Sequence, residues 1–144
     1  MSSKDSLPKH LEVSFFLLRA SIFLVMFMWT IDKFLRVDHA KTVFEKFYFL
    51  SGLGNSVVYL FATIELILII AFVLGLKKRL TYGGVLVFHA VSTLSAFKQY
   101  LNPFEGPNLL FFAAWPMLAS CIALYLLRDY DQLLCLCKTK RGLK

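Results

Sequence analysis

The sequence predicts an all-α membrane protein, an up-and-down bundle of four transmembrane helices with an interfacial helix in the first extracytoplasmic loop. Three observations predict it. Hydrophobic residues make up 58% of the chain and mean hydropathy is +0.67, above the roughly half-apolar composition of a soluble domain. The apolar residues collect in runs of about twenty, the length needed to cross a bilayer. Polar or basic turns separate the runs, and the cations sit at run ends and in the C-terminal stretch. That placement suits anionic lipid and orientation, so the net charge of +7 implies no nucleic-acid partner.

Residues 1–10 read as a short cytosolic N-terminal tail carrying Lys4 and Lys9. The first span is 11–31, closed by Asp32 and Lys33, with Trp29 as an interfacial aromatic. It is too long for a signal peptide, is interrupted by Arg19, and lacks a small-residue cleavage site. Glu12, Arg19 and Lys33 are spaced by seven and fourteen residues, which places them on one stripe with Met26 that should face protein. Residues 36–55 are too polar to span. Asp38 can cap a short helix over 39–50, with Val43, Phe44 and Phe47 on one side and Lys41, Glu45 and Lys46 away from them. The sequence Ser-Gly-Leu-Gly-Asn at 51–55 turns the chain into the second span, 56–76.

The third span is predicted over 80–100, with Gly83 and Gly84 leaving room for close helix contact. Pro103, Gly106 and Pro107 mark a turn. The fourth span is 109–127, with Pro116 near its middle expected to kink it; Trp115 either packs there or lines a pocket that the kink opens. The single four-span membrane domain thus covers 11–127, and 128–144 reads as a basic cytosolic tail. Ten Lys and Arg lie on the side of both termini and of the second loop, against five on the other. This bias puts both termini in the cytosol.

Arg19, Glu65 and His89 are the ionisable residues deep inside spans. Counted from the predicted span ends, they lie ~12 to ~17 Å from the cytosolic boundary. At such depth a lipid-exposed charge costs about 2.5–3.5 kcal/mol or more, so the three are expected to face inward as one buried polar centre, with Arg19 and Glu65 paired. From His89 a polar stripe continues through Ser92, Thr93 and Gln99. Asp32, Lys33 and Lys98 are candidates for a second layer at the outer mouth. Each feature also has a purely architectural reading: a buried Arg–Glu pair can lock helices together, and an imidazole can donate one interhelical hydrogen bond.

Cys121 falls in the last apolar run, and Cys135 and Cys137 form a juxtamembrane pair too poor in neighbouring ligands for a metal. No metal or haem is expected, because His10, His39 and His89 supply no bis-histidine site. No catalytic motif is present, and an activity of the chain on its own is not expected.

Arg19 early in the first span, Lys33 at its end, Glu65 inside the second span and the turn Gly75-Leu76-Lys77-Lys78-Arg79 together resemble the DoxX-like family of small four-span membrane proteins. The resemblance covers roughly residues 15–130. The chain departs from it in carrying Trp29 and Thr30 where Gly often precedes the Lys. It implies an accessory subunit of a membrane redox or quinone-linked system in a bacterial inner membrane, with a quinone as the possible cofactor and another membrane protein or complex as partner. A different reading is a membrane-protein assembly factor or chaperone. A weaker one is a proton or small-solute carrier using Glu65 and His89, which inverted repeats would favour; none is visible.

Overall fold

The computed structural model describes residues 8–136. Among these the chain is helical, with no strand. In order, α1 spans Lys9–Leu35, α2 Val37–Tyr48, α3 Asn55–Val73, α4 Lys78–Ser95, α5 Phe97–Leu101, a 3-10 helix Asn108–Ala113, and α6 Ala114–Leu126. Three helical stretches are long and apolar enough to cross a membrane: α1, α3, and the 3-10 helix continued by α6. The predicted third span is not among them. Its helix, α4, stops at Ser95, and a separate turn of helix, α5, follows the break at Ala96. Basic, hydroxyl and glycine residues (Lys78, Arg79, Thr81, Gly83, Gly84, Ser92, Thr93) dilute its hydropathy.

α1 packs on α3 and α6, and α4 packs on the same two helices. The core they share contains Phe15, Ile22 and Met26 of α1, Ile69 and Phe72 of α3, Tyr82 and Val85 of α4, and Cys121 and Leu124 of α6. On α1 the buried positions Phe15, Arg19, Ile22, Met26 and Thr30 follow the helical repeat that the sequence stripe implied. The opposite faces expose Leu17, Leu24 and Met28 on α1, Leu60, Ile64 and Ile67 on α3, and Val87, Val91 and Leu94 on α4. Water would penalise so much bare apolar surface, whereas acyl chains match it. Within lipid the helices are then held by close packing and polar bonds, since burial of one apolar side chain against another gains little.

Gly83 and Gly84 do provide close contact. A Cβ at Gly83 would lie 3.2 Å from the Tyr125 ring, and one at Gly84 2.8 Å from a Leu68 methyl. The two glycines let α6 and α3 approach α4. Pro116 does not kink the middle of a helix. It is the third residue of α6, after the 3-10 turn, where the missing N–H and the ring clash fall outside the intrahelical ladder. Trp115 is half exposed, with its ring 5.7 Å from that of Tyr100.

Two loops also differ from expectation. Asp38 lies inside the first turn of α2 and pairs with Lys41, and no side chain caps that helix. α2 sets Phe44 against Phe61 of α3 and Phe47 against Phe111 of the 3-10 helix, so its apolar side covers one end of the molecule. Residues 128–136, assigned to a tail from the sequence, instead fold back onto the helices: Asp131 is fully buried and Cys135 nearly so. Cys137 and the basic residues after it lie outside the described residues.

Candidate functional site

The turn between α3 and α4 begins the site. Gly75 adopts φ +66°, its N–H donates to the Phe72 carbonyl (2.9 Å), and the N–H of Leu76 donates to the Ala71 carbonyl (2.9 Å). This pair of bonds is a Schellman C-cap with glycine in the left-handed position. It leaves the Leu74 carbonyl open, and the N–H of Leu136 donates to it at 2.9 Å. The returning segment is thereby stitched to the turn. Gly75 has a second reason to lack a side chain: its Cβ would stand 2.6 Å from Cys135 Sγ.

Around this stitch five polar side chains meet. Arg19 Nη1 donates to Asp131 Oδ2 (3.0 Å), to the Tyr82 hydroxyl (3.2 Å) and to Cys135 Sγ (2.6 Å), while Nη2 donates to the Leu133 carbonyl (2.5 Å). The Tyr82 hydroxyl donates to the same Asp131 Oδ2 at 2.7 Å. Lys78 Nζ donates to the Asp131 backbone carbonyl, and the Cys135 thiol donates to that carbonyl at 3.3 Å. Arg19 and Asp131 have no exposed side-chain surface. Their charges compensate each other away from water, the condition under which a buried ion is tolerated. Two valences stay open: among the described residues, Arg19 Nε and Asp131 Oδ1 are buried without a hydrogen-bond partner.

The predicted pairing of Arg19 with Glu65 is therefore corrected. Glu65 pairs with Lys33, Oε2 to Nζ 2.8 Å, with relative exposures of 9% and 19%. The rings of Phe34 and Tyr59 face each other, 6.1 Å apart, and fix the register of the antiparallel helices α1 and α3. Counted from that pair, Arg19 lies nine residues deeper than Glu65, ~13 Å along the axis at 1.5 Å per residue. Side chains on a helix lean toward its N-terminus. Arg19 thus leans away from Glu65, whereas Lys33 and Glu65, on opposed helices, lean toward each other.

His89 joins neither pair. Its Nε2 lies 3.1 Å from the Ala114 carbonyl and 3.4 Å from Thr93 Oγ1, and so links α4 to the start of α6. Of the stripe beyond it, Thr93 and Gln99 are buried but Ser92 is exposed. The outer-mouth candidates also separate. Asp32 pairs with Arg36 and with His39, whose Nδ1 is 2.7 Å away, and Lys98 stacks 5.3 Å over the Phe49 ring. The three residues expected in one buried centre thus sit in three separate polar groups, and Asp32, Lys33 and Lys98 each have different partners.

Sequence reasoning missed Asp131, Tyr82, Lys78 and Cys135. One clue was available: the apolar string Leu133-Leu134-Cys135-Leu136 after Asp131 is unlike a solvated basic tail.

Two open grooves flank these groups. One, of about 550 Å³, is lined by Glu12, Gln132, Leu133, Leu134, Cys135 and Leu136. The other, of about 510 Å³, lies among Met28, Trp29, Asp32, Arg36 and His39. Among the described residues no three His, Cys, Asp or Glu side chains gather to hold a metal ion. No family model, curated protein or solved structure matches the chain.

Proposed function

We propose that the chain is a four-span, DoxX-like membrane protein that serves as an accessory subunit of a membrane redox or quinone-linked system, without chemistry of its own. On this reading α4 crosses the membrane too, as the third of four spans. Lys78, Thr81, Tyr82 and Thr93 are buried against the other helices, while Leu80, Val87, Val91 and Leu94 meet lipid. α2 is the interfacial helix, and the excess of cations beside the α3–α4 turn sets both termini in the cytosol of a bacterial inner membrane.

The observation that carries the proposal is the use made of Arg19, Lys33 and Glu65, the positions behind the resemblance. Each is engaged in contacts between elements: Arg19 with α4 and the returning segment, Lys33 with Glu65 between α1 and α3. Residues so engaged hold an architecture together; they do not line a reaction chamber. The test is extraction of a tagged copy in mild detergent. An oxidoreductase or respiratory component should accompany it, and recovery of the chain alone without bound quinone would refute the reading.

A second reading, an assembly factor for other membrane proteins, draws on the surface of α6. Of the apolar stretch formed by the 3-10 helix and α6 only 11% is buried, against 22% for α1 and 28% for α3, which leaves a broad face for another helix. Deleting the gene should then deplete a client complex in which the chain itself is absent. A carrier is the weakest proposal, because Glu65 and His89 have separate partners.

A further inference from the structure

We propose that the groove of about 510 Å³ at the C-terminal end of α1 binds one phospholipid whose headgroup carries both a phosphate and a primary ammonium, the phosphatidylethanolamine type. Such a site requires the helices to lie in lipid and owes nothing to the accessory role proposed above. Its wall follows one line of the chain. Met28, Asp32, Leu35, Arg36 and His39 succeed one another at steps of four, three, one and three residues, which is one helical face. Along an unbroken helix Asp32 and His39 would stand ~10 Å apart. The chain breaks at Arg36 (φ −131°, ψ 63°), and His39 Nδ1 comes to 2.7 Å from Asp32 Oδ2. Met28 and Trp29 expose apolar surface below the charges, and Leu35 beside them. Apolar wall within the span and charge where the span ends is the order of acyl chain and headgroup in a bilayer.

The charges in the wall select the headgroup. Lys33 is taken up by Glu65 and Asp38 by Lys41. Among the described residues the groove is therefore left with Asp32, Arg36 and His39. With His39 counted as neutral, one positive charge faces one negative charge. Arg36 gives Nε and Nη2 to Asp32 Oδ1. It keeps the N–H groups of Nη1, on a side chain 65% exposed, to donate to a phosphate oxygen. A carboxylate offers about four acceptor positions. Arg36 takes two on Oδ1 and His39 one on Oδ2, so Asp32 has one acceptor left for an ammonium N–H. A headgroup of net charge −1 gains Arg36 but meets Asp32 unshielded. A choline headgroup matches the charges but has no N–H to donate to Asp32.

The test uses the full-length chain in nanodiscs of dioleoyl phosphatidylcholine. The chain has two tryptophans, so Trp115→Phe leaves Trp29 as the reporter in the groove. Phosphatidylethanolamine, phosphatidylcholine or phosphatidylglycerol with brominated acyl chains, which quench tryptophan on contact, is added in increasing mole fraction. Brominated phosphatidylethanolamine should quench Trp29 half-maximally at about two- to fivefold lower mole fraction than the other two. Asp32→Asn leaves Arg36 uncompensated and should turn the preference toward phosphatidylglycerol. In a Trp29→Phe chain the remaining Trp115 should be quenched equally by all three. Equal quenching of Trp29 by the three lipids, or phosphatidylglycerol or phosphatidylcholine quenching it best, overturns the proposal. So does the same phosphatidylethanolamine preference at Trp115, which would mean sorting of lipid around the whole molecule.

Discussion

Replacing Asp131 with Ala removes the carboxylate that pairs with Arg19. An exposed ion pair would cost about 0–1 kcal/mol to break, but this pair has 0% exposure on both sides, and deleting one member of a buried pair costs about 3–5 kcal/mol. The structure sets the position within that range. Arg19 keeps the Leu133 carbonyl, Tyr82 and Cys135 as partners, which lowers the penalty. Tyr82 loses the acceptor of its hydroxyl, which restores about 1 kcal/mol. The expected loss is about 3 kcal/mol. Equilibrium unfolding in mixed micelles against SDS mole fraction, followed by tryptophan fluorescence and far-ultraviolet circular dichroism, reads it. Arg19→Met combined with Asp131→Ala should cost less than Asp131→Ala alone, because no uncompensated charge is left. A single-variant loss below about 1 kcal/mol, or strictly additive losses in the double variant, refutes the argument.

Glu65→Gln should cost about 1–2 kcal/mol in the same assay, less than Asp131→Ala because Lys33 is 19% exposed and can extend toward water. Gly75→Ala combines a left-handed backbone with a 2.6 Å clash at Cys135; it should cost about 2–4 kcal/mol and open the segment after Arg128 to protease. Gly106→Ala meets nothing within 4 Å at φ +52°, so only the backbone cost of about 1 kcal/mol should appear. His89→Ala removes the link to the Ala114 carbonyl and should cost about 1 kcal/mol.

The long apolar helices were legible because hydropathy and the spacing of Arg19, Met26 and Lys33 are local properties of the chain. The inward direction of Arg19 was legible for the same reason. Its partner was not. Depth counted from nominal span ends treats α1 and α3 as beginning and stopping at the same levels. α1 is 27 residues long and α3 is 19, so their ends need not coincide, and the ring pair Phe34–Tyr59 gives a register that end-counting could not supply. Asp131 was hidden differently. A carboxylate beyond a span reads as solvated unless the chain turns back, and such a return is a tertiary event fixed by Gly75, Leu74 and Leu136 rather than by any local pattern.

The Arg19–Asp131 bond joins residues 112 positions apart. While the ribosome is still producing α3 and α4, α1 is already in place with its guanidinium lacking the carboxylate that later neutralises it. Insertion of α1 must tolerate a penalty of about 2.5–3.5 kcal/mol over that interval, and arrival of the 131–136 stretch is what completes the chain's fit to lipid. A released chain truncated before Asp131 is accordingly a natural substrate for membrane quality control, whereas one truncated just after 136 keeps the carboxylate that Arg19 needs.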